Sequence, residues 1–253
     1  MNKYIHTESI HNADAAGVLV PLILERFKVS SVVDFGCGLG NFLKLFKQHG
    51  VAEVLGLDGS WTELERLYKN IDPAEFREVD LEKPIHLDKK YDLVISLEVA
   101  EHLSSKSETI FVESLIAAGD TIVFSAAIPD QGGQNHINEK WLSDWAKIFE
   151  PHGFVPVDLF RKDLWNNESV FWWYRQNILV FVPKDAPLAN LESTMLDIVH
   201  PELFLRKTTL LQNTTDQLHS LQSKINKERE HYKNLKKSPL SLFKLFLKSI
   251  FKR

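Results

Sequence analysis

The sequence predicts an α/β fold, an open and largely parallel sheet flanked by helices, with a helical C-terminal extension. Three observations predict it. Short apolar runs end in acids at Asp34, Asp58 and Asp80. Stretches of helical periodicity separate those runs. A glycine turn, Gly36-Cys37-Gly38-Leu39-Gly40, follows the first of them and leads into the apolar pattern of Phe42, Leu43 and Phe46.

Residues 14–27 place Ala15, Val18, Leu19, Leu22, Ile23 and Phe27 at helical spacing despite Pro21. His6 and His11 precede this helix in a polar segment, either simply solvated or part of a lid. The run from Ser31 to Phe35 reads as a buried strand. Glycine after it lets the backbone take positive φ and lets a ligand approach without meeting a Cβ. Residues 52–58 form a second strand ending in Asp58, where a carboxylate can accept both hydroxyls of a ribose. Trp61, just beyond, can stack on an adenine or pack in the core, and the sequence weighs the two equally. Residues 76–81 give a third strand, ending at Asp80. Open parallel sheets bind ligands beyond the C-terminal ends of their strands, so the turn and the three acids should converge.

The fourth strand, 91–96, leads into Glu98, Glu101 and His102 at i, i+3 and i+4, which share one face if the turn is helical. A helix over 107–118 and a fifth strand over 121–125 follow. The next loop carries His136, and Asn138 is expected to cap a helix bearing Trp141, Leu142, Trp145 and Ile148. Strands six and seven fall at 154–160 and 177–182. Glu98, Glu101, His102 and His136 offer two carboxylates and two imidazoles, a donor set suited to a divalent cation. Without a cation, His136 is the candidate general base, because its unperturbed pKa suits the task. Arg161, Trp165 and the aromatic run 171–177 suit recognition of a polyhydroxylated acceptor, with core packing as the competing role.

Composition narrows the classes. The 253-residue chain has net charge −4, yet residues 236–253 carry five lysines, one arginine and no acid. That +6 leaves −10 for the remainder, which argues against broad binding to a nucleic-acid backbone, so DNA is not an expected partner. The single cysteine, Cys37, excludes an internal disulfide and a multi-cysteine zinc site. No basic segment followed by an apolar core opens the chain, so cytoplasmic residence is the expectation.

The stretch Asp34-Phe35-Gly36-Cys37-Gly38-Leu39-Gly40 resembles motif I of the class I S-adenosylmethionine (SAM) methyltransferases, D-x-G-x-G-x-G. A dinucleotide fingerprint would instead need G-x-G-x-x-G, and Asn41 stands where its third glycine belongs. The order of elements over residues 14–183 is similar to the seven-stranded Rossmann-like sheet of that class. The resemblance implies that Asp34, Gly36, Gly38, Gly40, Asp58, Trp61, Asp80 and Leu81 hold SAM. Glu-x-x-Glu-His with a later histidine resembles the metal centre of small-RNA 3′-end 2′-O-methyltransferases, where the metal binds both hydroxyls of a terminal ribose. This implies Glu98, Glu101, His102 and His136 as ligands, although many class I methyltransferases carry such a turn with no known metal. The run Gln-Gly-Gly-x-x-His-x-Asn-Glu-x-Trp from Gln131 to Trp141 looks like bacterial methyltransferases associated with surface-polysaccharide biosynthesis.

The expectation is therefore a SAM-dependent O-methyltransferase acting on a sugar or glycan hydroxyl, with His136, Glu98, Glu101 and His102 as the catalytic set. Alternatives are a small-molecule or RNA-end O-methyltransferase, or a non-catalytic subunit of the same fold that tethers an assembly. Residues 1–183 would form the catalytic domain and 184–210 a linker and helical segment. Residues 211–235 show a partial heptad through Leu211, Leu218, Ile225 and Tyr232, read as a coiled coil joining copies or as a solvated helix. The basic amphipathic tail 236–253 suits the inner face of a membrane or a partner protein, and is too short to span a bilayer.

Overall fold

The computed structural model describes residues 14–191, 195–236 and 239–250. His6 and His11 lie outside them, as do 237–238 and 251–253 of the tail. The chain forms two compact units, residues 1–200 and 201–253.

In the first unit, helix α1 (Asp14–Arg26) precedes strand β1 (Ser31–Phe35), α2 (Asn41–Gln48), β2 (Glu53–Asp58), the short α3 (Leu64–Leu67) and β3 (Phe76–Glu78). Strand β4 (Leu93–Leu97), α4 (Glu108–Ala118), β5 (Ile122–Ser125), α5 (Leu142–Phe149) and β6 (Phe154–Val157) follow. The unit is completed by α6 (Arg161–Leu164), α7 (Trp172–Asn177) and β7 (Leu179–Pro183). The seven strands make one sheet of order β3-β2-β1-β4-β5-β7-β6. β7 runs antiparallel to both neighbours, and the other pairings are parallel.

The apolar runs form strands because both faces of this sheet are covered, so successive residues find a core on alternate sides. Val33 and Phe35 pack on one side with Phe111, Leu115, Trp145 and Phe181. Val32 packs on the other with Leu19, Ile23, Leu43 and Phe46. β4 and β7 divide in the same way, Val94 and Phe181 to the first side, Ile95 and Val180 to the second. Pro21 sits within α1 as the spacing of that helix allows.

Three local expectations are corrected. β3 ends at Glu78, so Asp80 stands two residues beyond the strand, half exposed in a turn where Lys83 Nζ lies 3.0 Å from its carboxylate. Asn138 does not cap α5: Trp141 takes that position without a side-chain cap, while the Asn138 backbone N–H bonds the Glu101 carbonyl. The segment after β7 is no linker. Ala186, Leu188 and Ala189 pack on the core, and the buried Arg161 donates to the carbonyls of Met195 and Leu196. A fully buried guanidinium needs several acceptors, and this strap supplies two of them beside Asp158. Arg161 is therefore structural and does not reach an acceptor.

The second unit holds α8 (Pro201–Lys236), one unbroken helix that contains the whole partial heptad, and α9 (Pro239–Ile250). No helix among the described residues is long and apolar enough to cross a membrane.

Candidate active site

The strand order reverses between β1 and β4, the point at which open α/β sheets leave a ligand crevice at their C-terminal ends. Two turns meet there. After β1, Gly36, Gly38 and Gly40 all have positive φ. Gly36 is needed for a second reason as well: a Cβ there would lie 2.4 Å from Cγ2 of Val99, in the turn after β4. The Gly36 N–H donates to the Leu57 carbonyl at 2.7 Å, which ties the turn to β2.

Asp58, at the end of β2, receives the Gly38 N–H on one oxygen and the Gly59 N–H on the other, each at 2.7 Å. Burial raises its carboxyl above the usual range, and these bonds work against that shift. Trp61 lays its ring against the α-carbon face of Gly59 and bonds Asp58 through its side chain, half-buried at the edge of the crevice. Asp34 is buried, and burial followed by the nearby charge of Asp58 holds its carboxyl well above the usual range. Two acids with so little neutralising charge favour a cationic ligand, such as the ammonium and sulfonium groups of SAM. Leu81 is buried beside the exposed Asp80. Cys37 is also buried, and burial pushes its thiol well up, away from reactive thiolate character.

Beyond β4 the backbone does not enter a helix. Glu98 has φ 55°, and only Ala100–His102 make a helical turn, of the tight 3-10 type. Glu101, His102 and His136 converge, with one ligand atom from each lying within 4.8 Å of the others. The two imidazoles meet edge to face with centroids 4.9 Å apart. The Glu101 carbonyl accepts the N–H groups of Ile137 and Asn138, which clamps the His136 loop onto this turn.

Glu98 is not part of that group. Asn177 Nδ2 donates to one of its oxygens at 3.1 Å and Gln131 Nε2 to the other at 2.9 Å. The left-handed backbone at Glu98 breaks the shared helical face, yet its carboxyl still lies beside that of Glu101. Its charge still matters. Burial, followed by the Glu98 charge, holds the fully buried Glu101 carboxyl well above the usual range. The Ala127 N–H and the Glu98 carboxyl lie near the Glu101 side chain, though neither reaches full hydrogen-bond geometry with its oxygens. A carboxylate so placed stays protonated or takes a cation.

Two residues of the Gln131–Trp141 run take contacts with His136 that the sequence did not assign them. Glu139 Oε1 lies 2.9 Å from Nδ1 of His136 and also accepts the Gly132 N–H at 2.7 Å. Gly133 lies directly against His136, since a Cβ at 133 would fall 2.1 Å from its Nε2. That run contains both residues, Gly133 and Glu139, and was the signal available for them. Of the aromatic run, Trp172 is buried, while Phe171 and Trp173 stack at 4.3 Å and are only partly covered.

A family model described as a methyltransferase domain matches residues 11–179. Streptomyces venezuelae DesVI superposes with a TM-score of 0.51 at 15% identity, over 68% of this chain and 91% of that one. The methyltransferase domain of bacterial CtHen1 also gives 0.51, at 20% identity, over 68% of this chain and 98% of that one. The small RNA methyltransferase HEN1 matches at 0.51 and 18% identity, over 77% of this chain and 27% of that one. At these identities the likeness is one of fold. An uncharacterized Haemophilus influenzae protein is 26% identical over 116 residues, and the matched region spans 42% of this chain and 46% of that relative's length.

Proposed function

Because the chain belongs to the methyltransferase-domain family and is a SAM-dependent methyltransferase, we propose that it methylates a sugar or glycan hydroxyl activated at Glu101, His102 and His136. SAM would lie across the β1 and β2 ends, its ribose at Asp58, its adenine beside Trp61, Asp80 and Leu81, and its amino acid part at the glycine turn. Methyl transfer is an in-line attack on an already activated carbon, so the protein has to position the nucleophile and handle its proton.

The observation that carries this reading is the Glu101 carboxylate, buried and grouped with two imidazoles, with no cationic side chain among the causes of its raised pKa. Such a donor set fits a borderline divalent cation, Mn²⁺ for example, held by Glu101, His102 and His136. When bound, the cation would lower the pKa of an acceptor hydroxyl and orient it. Glu98 is left out of the proposed ligands because the converging group holds only Glu101, His102 and His136, while Asn177 and Gln131 hold the Glu98 carboxylate beside it. Glu139 would fix the His136 ring through Nδ1 and leave Nε2 for the acceptor side. If no cation is taken up, the same ring is the base that accepts the hydroxyl proton. A sugar acceptor rests on the resemblance of the Gln131–Trp141 run to polysaccharide-associated methyltransferases and on the partly covered Phe171–Trp173 stack, whose outer aromatic surface suits a polyhydroxylated ring. The hydroxyls of an RNA end present similar chemistry, and the acidic body disfavours that substrate.

Calorimetry tests the reading with S-adenosylhomocysteine and Mn²⁺ as separate titrants. The wild type should bind both. Glu101→Gln and His136→Ala should lose the metal and keep the nucleoside, while Glu98→Gln keeps both. Failure of the wild type to bind S-adenosylhomocysteine overturns the cofactor assignment. Metal-free turnover of glycan acceptors that chelators do not affect would overturn the cation and leave His136 as base.

A further inference from the structure

The twelve residues of α9 put two kinds of surface on one short helix. Phe243, Phe246, Leu247 and Ile250 recur at i, i+3, i+4 and i+7, and so fall on one side. Leu240, one turn before Phe243, and Leu242, one turn before Phe246, widen that side. All six side chains are exposed, Leu240 at 72%, Phe243 at 60% and Phe246 at 59%. Lys244 and Lys248 lie one turn apart, across the helix from Leu242 and Phe246. No acid occurs anywhere in residues 236–253.

We propose that α9 docks in the plane of an anionic lipid surface, with its Phe and Leu side chains among the acyl chains and its lysines at the headgroups. Three properties favour this occupant. The helix is about 18 Å long, against a hydrocarbon core of about 30 Å, so it can lie in the interface and not cross it. Large aromatic and aliphatic side chains beside lysines are the composition that partitions into that interface. The charge is complementary as well: the segment carries +6 in a chain whose remainder is −10, so attraction to anionic headgroups is confined to this stretch. A protein groove would be expected to pair some of the lysines with acids, and one apolar face with an all-basic flank asks for no such pattern. The inference is independent of the reaction proposed for the catalytic unit.

The test is co-sedimentation of the full chain with vesicles of phosphatidylcholine alone, and of phosphatidylcholine mixed with phosphatidylglycerol. The chain should bind the mixed vesicles, with affinity falling as salt rises. Lys244→Gln and Lys248→Gln should each weaken binding roughly five-fold. Phe243→Ser with Phe246→Ser should abolish it while S-adenosylhomocysteine binding persists, which shows the body still folded. No binding to mixed vesicles, or equal binding to neutral ones, overturns the proposal. So does sedimentation velocity that shows self-association abolished by the Phe pair in a chain that ignores vesicles, because the face would then join copies.

Discussion

His136 and Glu139 share a hydrogen bond: Nδ1 of the imidazole stands 2.9 Å from Oε1 of the carboxylate, the same oxygen that accepts the Gly132 N–H. That oxygen fixes both the ring and the loop that presents it. Glu139→Ala should therefore lower Mn²⁺ affinity and methyl transfer by about 10- to 100-fold, the usual effect of losing such an orienting partner. Glu139→Gln, which can still accept from the ring, should retain more of both. S-adenosylhomocysteine binding should not change in either variant, and calorimetry reads both quantities on one sample.

Gly133→Ala should displace His136 without unfolding the chain. The new methyl group would occupy space now held by the imidazole edge, and the ring is a movable side chain, so it yields before the backbone does. The expected outcome is a near-normal melting temperature with metal binding lost. By contrast, Gly36→Ala meets Val99 and must also hold φ near 88°. It should cost about 1–3 kcal/mol in urea unfolding, and adding Val99→Ala should recover only the steric share.

Asp34 makes stability fall with rising pH. Burial and the Asp58 charge raise its folded-state pKa, so the folded protein keeps a proton that the unfolded chain gives up near about pH 4. Between those two pKa values the native state binds more protons. Stability is thus fully present below the unfolded value and is lost as pH climbs towards the folded one, by at most about 1.4 kcal/mol per pH unit. Asp34→Asn should lessen that slope in urea denaturation of the ligand-free protein, leaving the share of Asp58, Glu98 and Glu101, whose carboxyls are raised as well. The same substitution should weaken binding of SAM, whose positive charge it no longer meets.

Asn177→Leu should destabilise by about 1–3 kcal/mol, because it strips a donor from the partly buried Glu98 and from the buried Gln131 at once. Thermal unfolding measures it, and pairing the change with Glu98→Gln should be markedly non-additive.

How far the sequence could be read depended on the distance over which each feature is built. The glycine turn, Asp34 and Asp58 were legible because strand, turn and acid are adjacent in the chain and the sheet topology does the rest. His136 was legible as chemistry. The posture of Glu98 was not, for it is held by Asn177, 79 residues away, and by a left-handed backbone that no local pattern announces at a glutamate. The strap after β7 escaped for a like reason. Its Pro-Lys-Asp-Ala-Pro opening has the composition of a spacer, and what makes it part of the domain is distant in the chain: the core beneath Ala186, Leu188 and Ala189, and the buried Arg161, whose partners lie 34 and 35 residues on. Asp80 was placed on a strand by its apolar neighbours, though β3, pairing only with β2, ends before reaching it.

The position of β7 between β5 and β6 bears on how the molecule is made. On the ribosome every other strand emerges first. Until residues 179–183 appear, β5 and β6 both offer unpaired edges to any neighbouring chain, the usual start of aggregation. The strand that joins these two edges is synthesised before α8 and α9. Any molecule displaying its basic tail has therefore already made the strand that ties β6 to the rest of the sheet.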